Sequence, residues 1–142
     1  MMKAKKISEY TFVWAIGGIG YYIIEILYRG FSHWSMFVVG GTVFLFCTYQ
    51  GVEMEWTEPI WIPILRSTVF ATSLEFITGI IVNKYLDLSV WDYTDQPYHL
   101  WGQICIPFII LFSGLISLAI PLGGMVAYRL FGEKKPNIFI LK

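Results

Sequence analysis

The sequence predicts an all-α integral membrane protein: a compact bundle of four transmembrane helices with a long aromatic-rich outer loop between helices 3 and 4. Three observations carry that expectation. Of the 142 residues, 56% are hydrophobic and only 14% are charged, whereas a soluble domain carries about 25% charged residues. The apolar residues gather into four runs, at about 10–28, 34–49, 60–82 and 104–129, and a bilayer-crossing helix needs about 20 such residues. Aromatic residues make up 18% of the chain, and Trp and Tyr favour the headgroup level of a membrane. The chain is expected to be a single transmembrane domain over 1–142. Ten Lys and Arg against ten Asp and Glu give zero formal charge, which leaves no basic surface for nucleic acid. Six Trp, nine Tyr and 11 Phe exclude a disordered chain.

The first span, about Tyr10 to Tyr28, follows Lys3, Lys5 and Lys6 and so has the look of a signal peptide. No small-residue cleavage pattern comes after it, only Tyr28-Arg29-Gly30-Phe31, so it reads as a retained helix. Gly18, Tyr21, Tyr22, Glu25, Tyr28 and Arg29 share one stripe, with Glu25 and Arg29 at i,i+4 in the favourable order. The second span, about Trp34 to Tyr49, is short and offers Gly40, Gly41, Cys47 and Thr48. The third, about Ile60 to Val82, carries Thr68, Thr72, Glu75 and Gly79 on one stripe. The fourth, about Ile104 to Arg129, offers Ser113, Ser117, Pro121 and Gly124. Small and polar residues mark helix contacts in lipid, because apolar side chains gain nothing by leaving lipid for protein. Each helix therefore has a face for the centre of the bundle. Arg66 points nearly opposite to Glu75 and is read as reaching the acidic middle loop (Glu53, Glu55, Glu58) or lipid phosphates.

Orientation follows from Lys and Arg in the short loops. With four spans, one side holds Lys3, Lys5, Lys6, Arg129, Lys134, Lys135 and Lys142, and the other holds Arg29 and Lys84. Both termini are therefore expected in the cytoplasm. The long outer loop, Asn83 to Trp101, interleaves Tyr85, Trp91, Tyr93, Tyr98 and Trp101 with Asp87, Asp92 and Asp95. Its rings are expected to lie on the membrane, and Pro97 stops any helix from running through it.

The ionisable groups of consequence inside the spans read as Glu25, Arg66 and Glu75. Glu25 lies roughly 5 Å and Glu75 roughly 10 Å below the outer interface, at about 1.5 Å per residue. A charge in hydrocarbon costs about 2.5–3.5 kcal/mol on insertion scales, so each needs a partner or a cavity. Two readings stand. Either the glutamates are interhelical glue, Glu25 with Arg29 and Glu75 with hydroxyl or indole groups. Or both line a cavity open to the outer face and bind a cation, a proton or a cationic solute, with Arg29 beside them and His33, Trp34, Trp91, Asp92 and Tyr93 at the mouth. His33 and His99 sit in loops and share no i,i+4 helical spacing, so no metal site is expected. Cys47 and Cys105 read as small core residues. No nucleophile elbow or Walker A sequence is present, and Gly17-Gly18-Ile19-Gly20 follows no strand, so no catalytic residue or cofactor is assigned.

More specific is the string Gly17-Gly18-Ile19-Gly20-Tyr21-Tyr22-Ile23-Ile24-Glu25, leading to Tyr28-Arg29-Gly30-Phe31-Ser32-His33-Trp34-Ser35-Met36 and Gly40-Gly41. To it belong Leu74-Glu75-Phe76-Ile77-Thr78-Gly79, then Val90-Trp91-Asp92-Tyr93-Thr94 and Pro97, and then Leu100-Trp101-Gly102-Gln103-Ile104-Cys105-Ile106-Pro107-Phe108. The run ends with Tyr128-Arg129-Leu130-Phe131-Gly132-Glu133-Lys134-Lys135-Pro136. These blocks resemble a family of small bacterial membrane proteins labelled "putative ABC-transporter permease, type IV" (CmpB-like). The resemblance covers nearly the whole chain and is weakest in the middle loop. The family tends to carry Asn where His99 stands, and many members have Ser at the position of Thr94. The resemblance implies a multi-span fold in the bacterial cytoplasmic membrane and a transport role, without a substrate or catalytic residues. Four helices are few for a complete pathway, so a permease of this size would work as a homo-oligomer or beside a separate ATPase subunit. Two other functions stay open. One is a non-transporting membrane regulator or assembly protein. The other is a membrane enzyme acting on a lipid headgroup with the two carboxylates as acid and base.

Overall fold

The computed structural model describes residues 2–30, 32–53, 59 and 61–132, without the side chains of 2–5, Arg29 and 51–53. Four helices dominate it: α1 (Met2–Arg29), α2 (Trp34–Glu53), α3 (Trp61–Gly79) and α4 (Ile106–Phe131). A π-helical turn, Ile80–Tyr85, extends α3. Strands β1 (His99–Leu100) and β2 (Ile104–Cys105) pair antiparallel, with His99 opposite Cys105. Three stretches, Lys6–Tyr28, Trp61–Tyr85 and Ile106–Phe131, are long and apolar enough to cross a membrane, while the apolar part of α2, Trp34–Gln50, is shorter. The first helix begins at Met2 rather than near Tyr10. An apolar run marks where lipid can lie, and backbone hydrogen bonding runs on past it into the polar residues.

Helix α2 is the centre of the bundle and packs on each of the other three. Its approach to α1 is close because glycines face large rings across the seam. Phe44 lies against Gly17, Tyr21 against Gly40, and a Cβ on Gly41 would stand 2.5 Å from the Trp14 carbonyl oxygen. Small residues at such seams let backbones approach where lipid supplies no hydrophobic drive. The Trp14 indole N–H also donates to Thr42 Oγ1 at 3.2 Å. Helix α4 meets α2 where Thr48 fits against Gly123. Cys47, Ala71, Ile116 and Ile120 form one buried cluster, and Met36, Val39, Val82, Val90 and Trp91 form another. Helices α1 and α4 run antiparallel and touch through aromatic edges, Phe12 on Phe131, Tyr21 on Phe112 and Tyr28 on Phe108.

The packing faces of α2 and α3 run close to those read from the sequence. Gly40, Gly41, Cys47 and Thr48 are buried, as are Thr68, Glu75 and Gly79, while Thr72 is half-buried. On α4 Gly124 is buried as expected, but the rest of the face differs. Its buried residues are Ile116, Ile120, Gly123, Gly124 and Ala127, while Ser113 and Ser117 donate to Ile110 and Gly114 carbonyls of their own helix. A hydroxyl satisfied this way needs no neighbouring helix.

No helix runs through 86–105; a polar knot holds that segment instead. The Leu86 N–H donates to the Ile81 carbonyl and the Leu88 N–H to the Val82 carbonyl, wider than an α-turn. The buried Asn83 accepts from the Val90 and Trp91 N–H groups at 2.7 and 3.3 Å and donates to Gln103 Oε1 at 2.8 Å. The Trp91 indole donates to the Gln103 carbonyl at 2.9 Å. A Cβ on Gly79 would stand 2.5 Å from Gln103 Oε1, so only glycine lets the knot sit on α3. Trp101 and Gly102 both take positive φ, 54° and 71°, the geometry of a type I′ hairpin turn. The Gln103 N–H closes it on the Leu100 carbonyl at 3.0 Å.

Candidate functional site

Glu75 lies one turn beyond Ala71 and one turn before Gly79, on the stripe that α3 buries in the bundle. It is 6% exposed. From the segment before α4, the Tyr93 hydroxyl donates to Glu75 Oε1 at 3.1 Å. Two contacts aim that ring. The Tyr93 N–H donates to the Gly102 carbonyl at 2.8 Å, and the ring stacks on Phe108 with centroids 4.8 Å apart. Burial first, and then the negative charge of Glu75, hold the Tyr93 phenol far above its usual range, with Tyr21 and Glu25 adding to the effect. Tyr93 is thus a neutral donor. The charge of Glu25, from α1, also bears on Glu75. Groups from α3 and the loop therefore meet at Glu75.

Beside them lies a cleft of about 370 Å³ between all four helices. Gly20, Val39, Ala71 and Leu118 are among its apolar walls, and among the described residues Glu75 is the one charged lining residue and Tyr21 the one lining residue that carries a hydroxyl. Several wall residues are well exposed, Leu118 at 68% and Ile24 at 46%, so the cleft opens on an apolar flank.

The other sequence candidates fall elsewhere. Trp91 is buried and spends its indole N–H inside the knot. Asp92 is exposed, and its Oδ1 accepts from the Thr94 N–H at 2.9 Å. That N–H is the main reason its carboxyl is held below the usual carboxylate range. Trp91 and Asp92 border a second, polar pocket of about 270 Å³ with Asn83 and Lys84. His33 Nδ1 meets Ser35 Oγ at 2.8 Å and accepts from the Ser35 N–H at 3.2 Å, capping α2, with Trp34 tilted over its ring. Neither His33 nor Trp34 lines either pocket. The backbone of α1 ends at Arg29, whose side chain is outside the described part. Arg66 donates to Gln50 Oε1 at 2.9 Å, near the end of α2. The acidic loop residues Glu55 and Glu58, expected to receive it, lie outside the described residues.

One charge escaped the sequence reading. Glu9 is fully buried, accepts from the Tyr49 hydroxyl at 2.7 Å and lies 3.7 Å from the Lys6 ammonium. The apolar run starts one residue after it, at Tyr10, so composition gives it no place in a span; the Lys6–Glu9 spacing of three is the available sign. Asn83 and Gln103 were missed as well, since neither has a charge or a periodic neighbour to draw attention. Among the described residues no group of three or more His, Cys, Asp or Glu is placed to hold a metal ion. His99 spends its Nδ1 on the Gly102 N–H at 3.0 Å. Cys47 and Cys105 are buried free thiols.

The CmpB family model, described as "Putative ABC-transporter type IV", matches residues 8–140. The chain belongs to this family. The matched stretch takes in Glu9, Glu25, Glu75 and Tyr93, and with three apolar helices of crossing length the CmpB-type chain is a membrane protein. No curated protein and no solved structure matches it.

Proposed function

We propose that this chain is the membrane component, or permease, of an ABC-type transporter, and that Glu75 with Glu25 holds a cation, a proton or a cationic solute. The observation that carries the reading is the Tyr93–Glu75 hydrogen bond beside an open cleft, within a chain of a transporter family. A carboxylate has about four acceptor positions, and one donor leaves capacity toward the cleft that Glu75 lines. Interhelical glue accounts for the bond with Tyr93 but gives no reason for a cleft beside it. The reading has α2 crossing the membrane as a fourth span, the whole chain acting as one transmembrane domain, both termini in the cytoplasm and segment 86–105 outside. The chain has no ATP-binding motif, so a separate ATPase subunit supplies the energy and the permease acts beside it or as a homo-oligomer. Isolation from native membranes in mild detergent, followed by mass spectrometry, tests this. An ABC ATPase is expected in stoichiometric amount. A monodisperse protein without an ATPase would overturn the reading in favour of a regulator or assembly protein.

A further inference from the structure

The geometry points to a single-chain amphiphile as the occupant of the cleft: a hydrocarbon tail lying between α1 and α4, with its ammonium head on Glu75. This inference rests on the proposed transporter reading and names the class of solute that the same carboxylate takes.

Three features of the cleft lead there. The first is the contrast between its walls and its one charge. An inorganic cation needs several oxygen ligands, about six to eight for calcium and about six for magnesium, yet among the described lining residues only Glu75 carries a carboxylate and only Tyr21 a hydroxyl, surrounded by aliphatic and aromatic side chains. A water-loving ion gains little in such a place. A molecule that is mostly hydrocarbon gains along its whole length and places one charge where one charge waits. Glu75 is the acid at that end of the cleft, and it selects an ammonium over a carboxylate or phosphate head.

The second feature is access. Helices α1 and α4 touch at Phe12–Phe131 near one end and at Tyr21–Phe112 and Tyr28–Phe108 toward the other. Between these contacts the walls are Ile16, Gly20, Leu115 and Leu118, with Ile16 and Leu115 each 36% exposed and Leu118 68% exposed. Apolar side chains exposed on the flank of a membrane helix face lipid, so a tail reaches the cleft sideways without crossing water. The third feature is size. Ligand pockets run from about 300 to 1,000 Å³, and about 370 Å³ lies at the low end, suited to one chain rather than a two-chain lipid.

The test is equilibrium binding to purified protein in phosphatidylcholine nanodiscs, with empty nanodiscs as the partition blank. Four probes are compared: dodecylamine, methylamine, dodecanol and phosphatidylethanolamine. Dodecylamine is expected to bind above the blank, and Glu75→Gln to weaken it by about tenfold or more, the loss of one charge-assisted contact. Gly20→Phe fills the cleft without touching the carboxylate. A Cβ at Gly20 meets nothing within 4 Å, so this variant is expected to fold as the wild type does and yet lose dodecylamine binding. It keeps the test valid if Glu75→Gln fails to fold.

Methylamine binding as tight as dodecylamine, with the same loss in Glu75→Gln, would overturn the tail assignment and leave the cationic-solute reading standing. Dodecanol binding equal to dodecylamine would overturn the ammonium assignment. Phosphatidylethanolamine binding more tightly than dodecylamine would overturn the single-chain assignment. No binding of any probe would overturn the inference, and co-purification of an ATPase would then decide the transporter reading by itself.

Discussion

The Tyr93 hydroxyl donates to Oε1 of Glu75 at 3.1 Å, and this bond ties a non-helical segment to the buried face of α3. Losing it strands a buried acceptor, which costs about 1–3 kcal/mol. Tyr93→Phe is therefore expected to lower the unfolding temperature in mild detergent. Replacing both partners by apolar groups removes the stranded group, so Tyr93→Phe with Glu75→Leu is expected to recover part of the loss. Strict additivity of the two substitutions would show that the groups are not coupled.

Burial of Tyr93 beside Glu75 sets a pH dependence. The folded protein holds the Tyr93 phenol above its usual range, which is about 10 for an unperturbed tyrosine. The neutral phenol is favoured by folding, so its contribution is fully present below about pH 10 and is lost as pH rises through and beyond that value. Thermal unfolding followed from pH 8 upward, roughly two units below that usual value, should show the wild type losing stability more steeply on the alkaline side than Tyr93→Phe. Parallel curves for the two proteins would contradict the assignment.

Asn83 holds segment 86–105 by three hydrogen bonds, to Val90, Trp91 and Gln103. Asn83→Ala leaves buried groups unpaired at about 1–3 kcal/mol each. Limited proteolysis is expected to cut within 86–105 much faster in this variant, while circular dichroism reports the helices intact. Equal cleavage rates would mean that the knot does not fix the segment.

Orientation is open to a labelling test, because the two native thiols are buried. Asp95→Cys, at an exposed position before β1, is expected to react with a membrane-impermeant maleimide in intact cells. Lys135→Cys is expected to react only after permeabilisation. Labelling of both in intact cells, or the reverse order, would refute four crossings with cytoplasmic termini.

Much of the helical layout was legible in the sequence, since an apolar run and a row of small residues are local signals. Gly40, Gly41 and Gly79 could be picked out as contact points because lipid leaves close packing as the main reason for small residues on a helix face. Glu75 was legible for the cost of its charge. Its partner was not, because Tyr93 is 18 residues away and is brought back by a connection in which Asp87 and Ser89 adopt positive φ, a backbone state that side-chain pattern does not announce. Glu9 is the opposite case: it precedes the apolar run, so nothing local marks it, yet helix packing buries it against Tyr49. The mouth drawn from His33, Trp34 and Asp92 came from residue type alone, and local capping and turn bonds occupy His33 and Asp92 instead.

The most direct test of the central claim, a carboxyl at Glu75 reachable from lipid through the cleft, is labelling with a hydrophobic carbodiimide. The reagent partitions into the bilayer and adds to protonated carboxyl groups, so the reaction is run in nanodiscs at mildly acidic pH and mapped by peptide mass spectrometry. The account predicts an adduct on Glu75, diminished by Gly20→Phe, which closes the cleft without removing the carboxyl. Modification of Glu25 or Glu9 with Glu75 untouched, or a Glu75 adduct indifferent to Gly20→Phe, would contradict it.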